Sequence, residues 1–100
     1  MLRVKDGVLP KNLVIAAAVA NTAHALETDA TITSGTDGTH MTGSLHYVGS
    51  ALDVRSKNMK AALKLAFMGM LRDRLGSNYQ VILEYRGQSN EHFHIEYDPR

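Results

Sequence analysis

The chain has 100 residues, of which 44% are hydrophobic and 21% charged, and its formal net charge is +1. This length suits one domain over residues 1–100, and the near-neutral charge gives no electrostatic basis for binding nucleic acid or an anionic membrane. Because the sequence contains no cysteine, it excludes disulfides, thiolate metal sites and a cysteine nucleophile.

The first predicted element is an amphipathic helix in the stretch LVIAAAVANTAHAL, residues 13–26. Pro10 precedes it, as is common at the start of a helix. Four of its apolar residues can share one face: Val14, Ala17, Ala18 and Leu26. The apolar core is far shorter than the ~20 residues of a membrane span, and the upstream lysines resemble a secretory signal only weakly. We therefore expect a core helix and neither a membrane span nor a signal peptide.

A strand, a loop and a second strand are predicted in the middle of the chain. Residues 30–33 carry β-branched side chains, and residues 34–43 are rich in Gly, Thr and Ser. Residues 51–55 alternate in polarity, so Leu52 and Val54 should face the core while Asp53 faces the other way.

A second helix is predicted over residues 57–75, with Ser56 as its N-cap and Gly76 at its end. Its expected buried stripe consists of Ala62, Leu63, Ala66, Phe67, Met70 and Leu71. Residues 79–85 and 92–97 then read as two strands of an antiparallel hairpin, joined by a polar turn that contains Gly87. This order of elements indicates an α+β domain with a mostly antiparallel sheet.

Polar residues on the predicted strands suggest a metal site. The period of two sends the apolar residues of the last strand to the core and three polar residues to the other face: His92, His94 and Glu96. Asp53 should face the same side, and Gly49 lets the chain turn so that His46 can approach Asp53. Two histidines and one aspartate, with water in the fourth position, suit a catalytic zinc, although the same ligands accept other divalent ions. Glu91, three residues before His94, is the candidate general base.

These residues resemble a known family. SLHYVGSALD, residues 44–53, matches the motif S-x-H-x-x-G-x-A-x-D of the zinc D-Ala-D-Ala peptidases, and EHFH, residues 91–94, matches their E-x-x-H motif. His92 and His94 also match the H-x-H pattern of the wider LAS-type group of lysostaphin-type, D-Ala-D-Ala and hedgehog-like metallopeptidases. The resemblance covers most of the chain, from about residue 30 to residue 98.

The resemblance implies a hedgehog/DD-peptidase-like fold, with flanking helices on a mostly antiparallel sheet. It implies a small, endolysin-like zinc peptidase that cleaves the stem peptides of bacterial peptidoglycan as a D-Ala-D-Ala carboxypeptidase or an endopeptidase. The implied zinc ligands are His46, Asp53 and His94. Without a convincing signal peptide, the expected location is a phage virion or the host cytoplasm with delivery to the wall, and phage virion or lysis proteins are candidate partners.

The resemblance also implies roles around the metal. Glu91 would take a proton from the zinc-bound water and deliver it to the leaving amine. His92 would hydrogen-bond the substrate or the tetrahedral intermediate, and Ser44 would orient a ligand or bind the peptide. Many relatives carry an upstream arginine that stabilises the oxyanion, whereas the corresponding segment here, TSGTDGTH, has none and offers His40 instead. A non-catalytic virion or wall-binding module that retains the fold is the alternative function.

Overall fold

The computed structural model describes residues 1–8, 10, 12–35 and 51–99. Within these ranges the chain forms five strands and two helices: β1 (Leu2–Val4), α1 (Leu13–Ala25), β2 (Ala30–Ser34), β3 (Ala51–Arg55), α2 (Ala61–Leu75), β4 (Tyr79–Glu84) and β5 (His92–Tyr97). The predicted α+β class is confirmed, and the hedgehog/DD-peptidase-like arrangement stays a prediction. His40, Ser44 and His46 lie outside the described residues.

The strands form one mixed sheet in the order β1-β2-β3-β5-β4. Only the β1–β2 pair is parallel among the described strands, so the expectation of a mostly antiparallel sheet is confirmed. The sequence did not predict β1, because three residues are too few to show an alternating pattern. β5 lies between β3 and β4, and the β4–β5 turn contains Gly87 at a φ of 79°, where glycine avoids the strain of a side chain.

Both helices pack on one face of the sheet, and the hydrophobic core lies between these two layers. The core joins residues of both helices to the inward-facing positions of the strands. Phe67 of α2 and Phe93 of β5 lie at its centre, with ring centroids 5.1 Å apart and no exposed surface. We call the opposite side of the sheet, which carries Asp53 and His94, the polar face.

α1 begins where predicted, but of the four residues expected on its buried face only Ala18 is buried. The Asn12 side chain accepts a hydrogen bond from the backbone N–H of Ile15 at 3.0 Å, so Asn12 rather than Pro10 defines the start of the helix. Val14, expected on the buried face, is 59% exposed, whereas Ile15 and Val19 are fully buried. The helix is apolar around most of its circumference, so periodicity alone did not fix its orientation. No helix within the described ranges is long and apolar enough to cross a membrane.

α2 begins at Ala61, four residues after the predicted start, and the assignment of Ser56 as its N-cap is wrong. Ser56 is fully buried, and its hydroxyl donates to the Glu91 carboxylate at 2.6 Å instead of accepting from a helix N–H group. The helix buries Phe67, Met68 and Leu71, while Ala62 and Ala66 of the predicted stripe are exposed. Gly76 ends the helix as predicted, at a φ of 85°.

Candidate metal centre on the polar face of the sheet

The sheet register brings Asp53 and His94 together although 41 positions separate them in the chain. They are Cα partners in the β3–β5 pairing, and His94 Nδ1 lies 2.8 Å from Asp53 Oδ1. Asp53 faces this side because its neighbours Leu52 and Val54, both fully buried, turn towards the helices. Two of the three residues proposed as zinc ligands from the sequence are therefore in direct contact.

Glu84 and His92 extend this contact to the neighbouring strand. They are Cα partners in the β4–β5 hairpin, and His92 Nε2 lies 2.9 Å from Glu84 Oε1 and 3.8 Å from Asp53 Oδ2. Asp53, Glu84 and His92 could hold a metal ion, since one ligand atom from each lies within 4.8 Å of the others. We call these three residues the Asp53–Glu84–His92 cluster.

The distances from His92 Nε2 to the two carboxylates lie on either side of the spacing between ligand atoms of a tetrahedral ion. Zinc bonds to imidazole nitrogen and carboxylate oxygen are about 2.0–2.2 Å, so neighbouring ligand atoms should lie about 3.3–3.6 Å apart. The observed separations from His92 Nε2, 2.9 Å to Glu84 and 3.8 Å to Asp53, bracket that range. Small side-chain movements would therefore bring all three atoms to bonding distance of one ion.

Sequence reasoning missed Glu84. It occupies the last position of β4, and no motif marks it. The available signal was the period of two in residues 79–85 combined with the hairpin, which together put Glu84 opposite His92. This signal identifies Glu84 only when the register of the hairpin is known. The turn of the hairpin is too long for the sequence to determine that register.

The surroundings of His94 favour its charged form. Burial lowers the pKa of the imidazole, but the hydrogen bond to Asp53 and the negative charges of Asp53, Glu84 and Glu96 outweigh burial and raise that pKa above its ordinary value. Glu96 Oε1 lies 3.4 Å from His94 Nε2, on the opposite edge of the ring from Asp53. The polar face is thus strongly acidic around its two histidines and suits a cation.

Glu91, the predicted general base, lies on the helix side of the sheet. Its carboxylate accepts hydrogen bonds from the Ser56 hydroxyl at 2.6 Å, from the Gly87 backbone N–H at 2.8 Å and from the Lys64 ammonium. The side chain is only 5% exposed. The Gly87 N–H, followed by Lys64 and Ser56, lowers the pKa of Glu91 to about 2 against the opposing effect of burial. This carboxylate connects α2 and the β4–β5 turn with Ser56, the residue that follows β3, and its proposed role as a base stays a prediction.

The other predicted site residues divide into two groups. His92, expected to contact substrate, lies in the Asp53–Glu84–His92 cluster, where its Nδ1 donates to the Asn90 carbonyl oxygen at 2.8 Å. The predicted ligand His46 and the predicted substrate-binding residues Ser44 and His40 lie outside the described residues. Their roles stay predictions from the sequence.

Comparisons with protein-family models, curated proteins and solved structures found no match to this chain. The resemblance to zinc D-Ala-D-Ala peptidases therefore depends on the two sequence motifs. The grouping of Asp53 and His94 on one face is a separate structural observation.

Proposed function

We propose that this protein is a zinc-dependent peptidase that hydrolyses peptide bonds in the stem peptides of bacterial peptidoglycan. The observation that carries this proposal is the contact between Asp53 and His94 on the polar face. Asp53 ends one motif shared with the zinc D-Ala-D-Ala peptidases, and His94 ends the other. A phage lysis or virion protein delivered to the cell wall is the setting that we propose for this activity.

Asp53 is the residue on which the proposed metal centre depends. It belongs to the ligand set that the resemblance implies, with His46 and His94, and also to the Asp53–Glu84–His92 cluster. A zinc ion bound here would polarise the scissile carbonyl group and make water more acidic. The strands hold Asp53 and His94 in fixed register, which favours a single orientation of the ligands.

For the group that transfers the proton, the sequence motif and the geometry point to different residues. The E-x-x-H motif assigns this task to Glu91, whose carboxylate is held by three donors on the helix side. Glu84 and Glu96 are the carboxylates beside the histidines on the polar face. In the zinc-loaded enzyme, Glu91→Gln should reduce turnover by about 10²–10⁴-fold if Glu91 is the base.

The proposal is tested with zinc-loaded protein and two substrates, a stem peptide ending in D-Ala-D-Ala and cross-linked peptidoglycan. Released D-Ala reports carboxypeptidase activity, and new amino groups without free D-Ala report endopeptidase activity. Asp53→Asn should abolish hydrolysis because it weakens the metal centre, while Asp73→Asn, at an exposed position of α2, should leave it unchanged. Failure of the zinc-loaded wild type to hydrolyse either substrate would contradict the proposal.

A second candidate is a zinc-containing wall-binding module without turnover. The hydrogen bonds of Glu91 with Ser56, Lys64 and Gly87 favour this second candidate, because they give the carboxylate a role in stabilising the fold. Such a module would sediment with insoluble peptidoglycan and release no soluble product. An enzyme would release product under the same conditions.

A further inference from the structure

We infer that Glu84 is a metal ligand and that Asp53, Glu84 and His92 together hold the ion. The inference deepens the proposed function and rests on it for the identity of the ion as zinc. Neither sequence motif includes Glu84, and the E-x-x-H motif assigns the ligand role to His94 rather than His92.

The first argument is the orientation of the His92 ring. Its Nδ1 lies 2.8 Å from the Asn90 carbonyl oxygen, which can only accept a hydrogen bond, so Nδ1 carries the proton. The other ring nitrogen, Nε2, is the one directed at Glu84 and Asp53. Metal-binding histidines are commonly held in this way, with one ring nitrogen donating to a carbonyl and the other bound to the ion.

The second argument is the chemistry of the groups that meet at Nε2. Glu84 Oε1 lies 2.9 Å away and Asp53 Oδ2 lies 3.8 Å away, and both carboxylate oxygens are acceptors. Two carboxylates that converge on one ring nitrogen favour a positive charge between them, which a proton on Nε2 or a bound cation supplies. Two carboxylates and one imidazole carry a total charge of about −2, which matches a divalent cation.

The third argument is the position of the three side chains on the fold. Asp53, Glu84 and His92 lie on three adjacent strands, β3, β4 and β5, and each is partly buried. Glu84 and His92 are directly paired, so their spacing is set by the backbone of the hairpin. Ligands on paired strands are held more precisely than ligands on loops.

His94 has a different place in this arrangement. Its Nδ1 lies 2.8 Å from Oδ1 of Asp53, whereas His92 approaches Oδ2 of the same carboxylate. In a metal-bound site, Oδ2 of Asp53 would therefore meet the ion while Oδ1 is held by His94. Ligating carboxylates are typically oriented by such a neighbour.

The test is the zinc affinity of the 100-residue chain, measured by competition with a chromophoric chelator. The variants are Glu84→Gln, His92→Gln and His94→Gln, with Asp73→Asn, at an exposed position of α2, as the control. Removing a neighbour that only orients a ligand typically weakens binding by 10–100-fold, so losing Glu84 or His92 should weaken zinc binding by more than about 100-fold. Asp73→Asn should leave the zinc affinity unchanged. Thermal unfolding of each metal-free variant identifies any that fails to fold, and Glu84→Asp then replaces a misfolded Glu84→Gln.

The outcomes for the Glu84 and His94 variants separate the inference from the proposed function. Zinc affinity of the Glu84→Gln variant equal to wild type would overturn the inference. If His94→Gln then loses zinc, the ligand set implied by the motifs holds the ion and the proposed function survives. If the wild type binds no zinc, both the inference and the proposed function are overturned.

Discussion

Glu91 and His94 lie three residues apart in the chain and face opposite sides of the sheet. Successive side chains of extended backbone alternate in direction, so residues at i and i+3 diverge when the segment continues the strand. The E-x-x-H motif makes the two residues look like partners, but here the three donors to Glu91 hold it on the helix side. The interactions of Glu91 therefore support a role in stability that its motif did not suggest.

Glu91 should make stability depend on pH in the acid range. Its folded-state pKa, about 2, lies below the ordinary value of about 4.3 for an exposed glutamate. The stabilisation is therefore fully present above about pH 4.3 and is lost as the pH falls towards 2. We expect Glu91→Gln to lower the free energy of unfolding at neutral pH and to flatten its decline between these values.

The measurement is chemical denaturation at a series of pH values. Glu27→Gln is the control, because Glu27 is exposed and should leave the curve unchanged. An unchanged pH profile in the Glu91 variant would show that the three hydrogen bonds to Glu91 do not stabilise the folded state.

β5 is the element on which both layers of the protein depend. It pairs with β3 on one side and β4 on the other, buries Phe93 and Ile95 against the helices, and presents His92 and His94 on the polar face. Because these directions alternate, a register shift of one residue would bury the histidines and expose the core residues. The packing of β5 against α2 thus indirectly fixes the orientation of the candidate metal ligands.

The contact between Phe67 and Phe93 should be a major contributor to stability. Both rings are fully buried with centroids 5.1 Å apart, so Phe67→Ala removes a large side chain from the centre of the core. We expect it to lower the free energy of unfolding by about 3–5 kcal/mol. Leu65→Ala, on the same helix at a position 66% exposed, should change that free energy by less than about 0.5 kcal/mol. Equal effects of the two substitutions in urea denaturation would show that α2 does not pack as described.

Alternating polarity predicted β3 and β5 with their observed bounds, since each strand has one apolar and one polar face. It did not predict the start of α2, because the side chain of Ser56 bonds to a residue 35 positions away. Glu84 was missed for a related reason: its importance comes from its neighbours across the hairpin. Local sequence patterns thus predicted the strands, whereas contacts between residues distant in the sequence determined which residues share a site.

At the scale of the whole molecule, the hydrophobic core and the candidate metal centre occupy opposite sides of one sheet. The helices and the core lie on one side, and Asp53, Glu84, His92 and His94 lie on the other. Substitutions on the polar face should therefore affect metal binding with little effect on the core, apart from those that disturb β5. This separation allows the metal centre to be tested in folded variants.

The most direct test of the central claim is the zinc content of the purified protein, measured by elemental analysis after zinc is supplied and excess is removed. The wild type should contain about one zinc ion per chain, as a three-ligand site predicts. Asp53→Asn should lose that zinc, because Asp53 belongs to both candidate ligand sets, whereas Asp73→Asn should retain it. A wild type without zinc, or an Asp53 variant with an undiminished zinc content, would contradict the account.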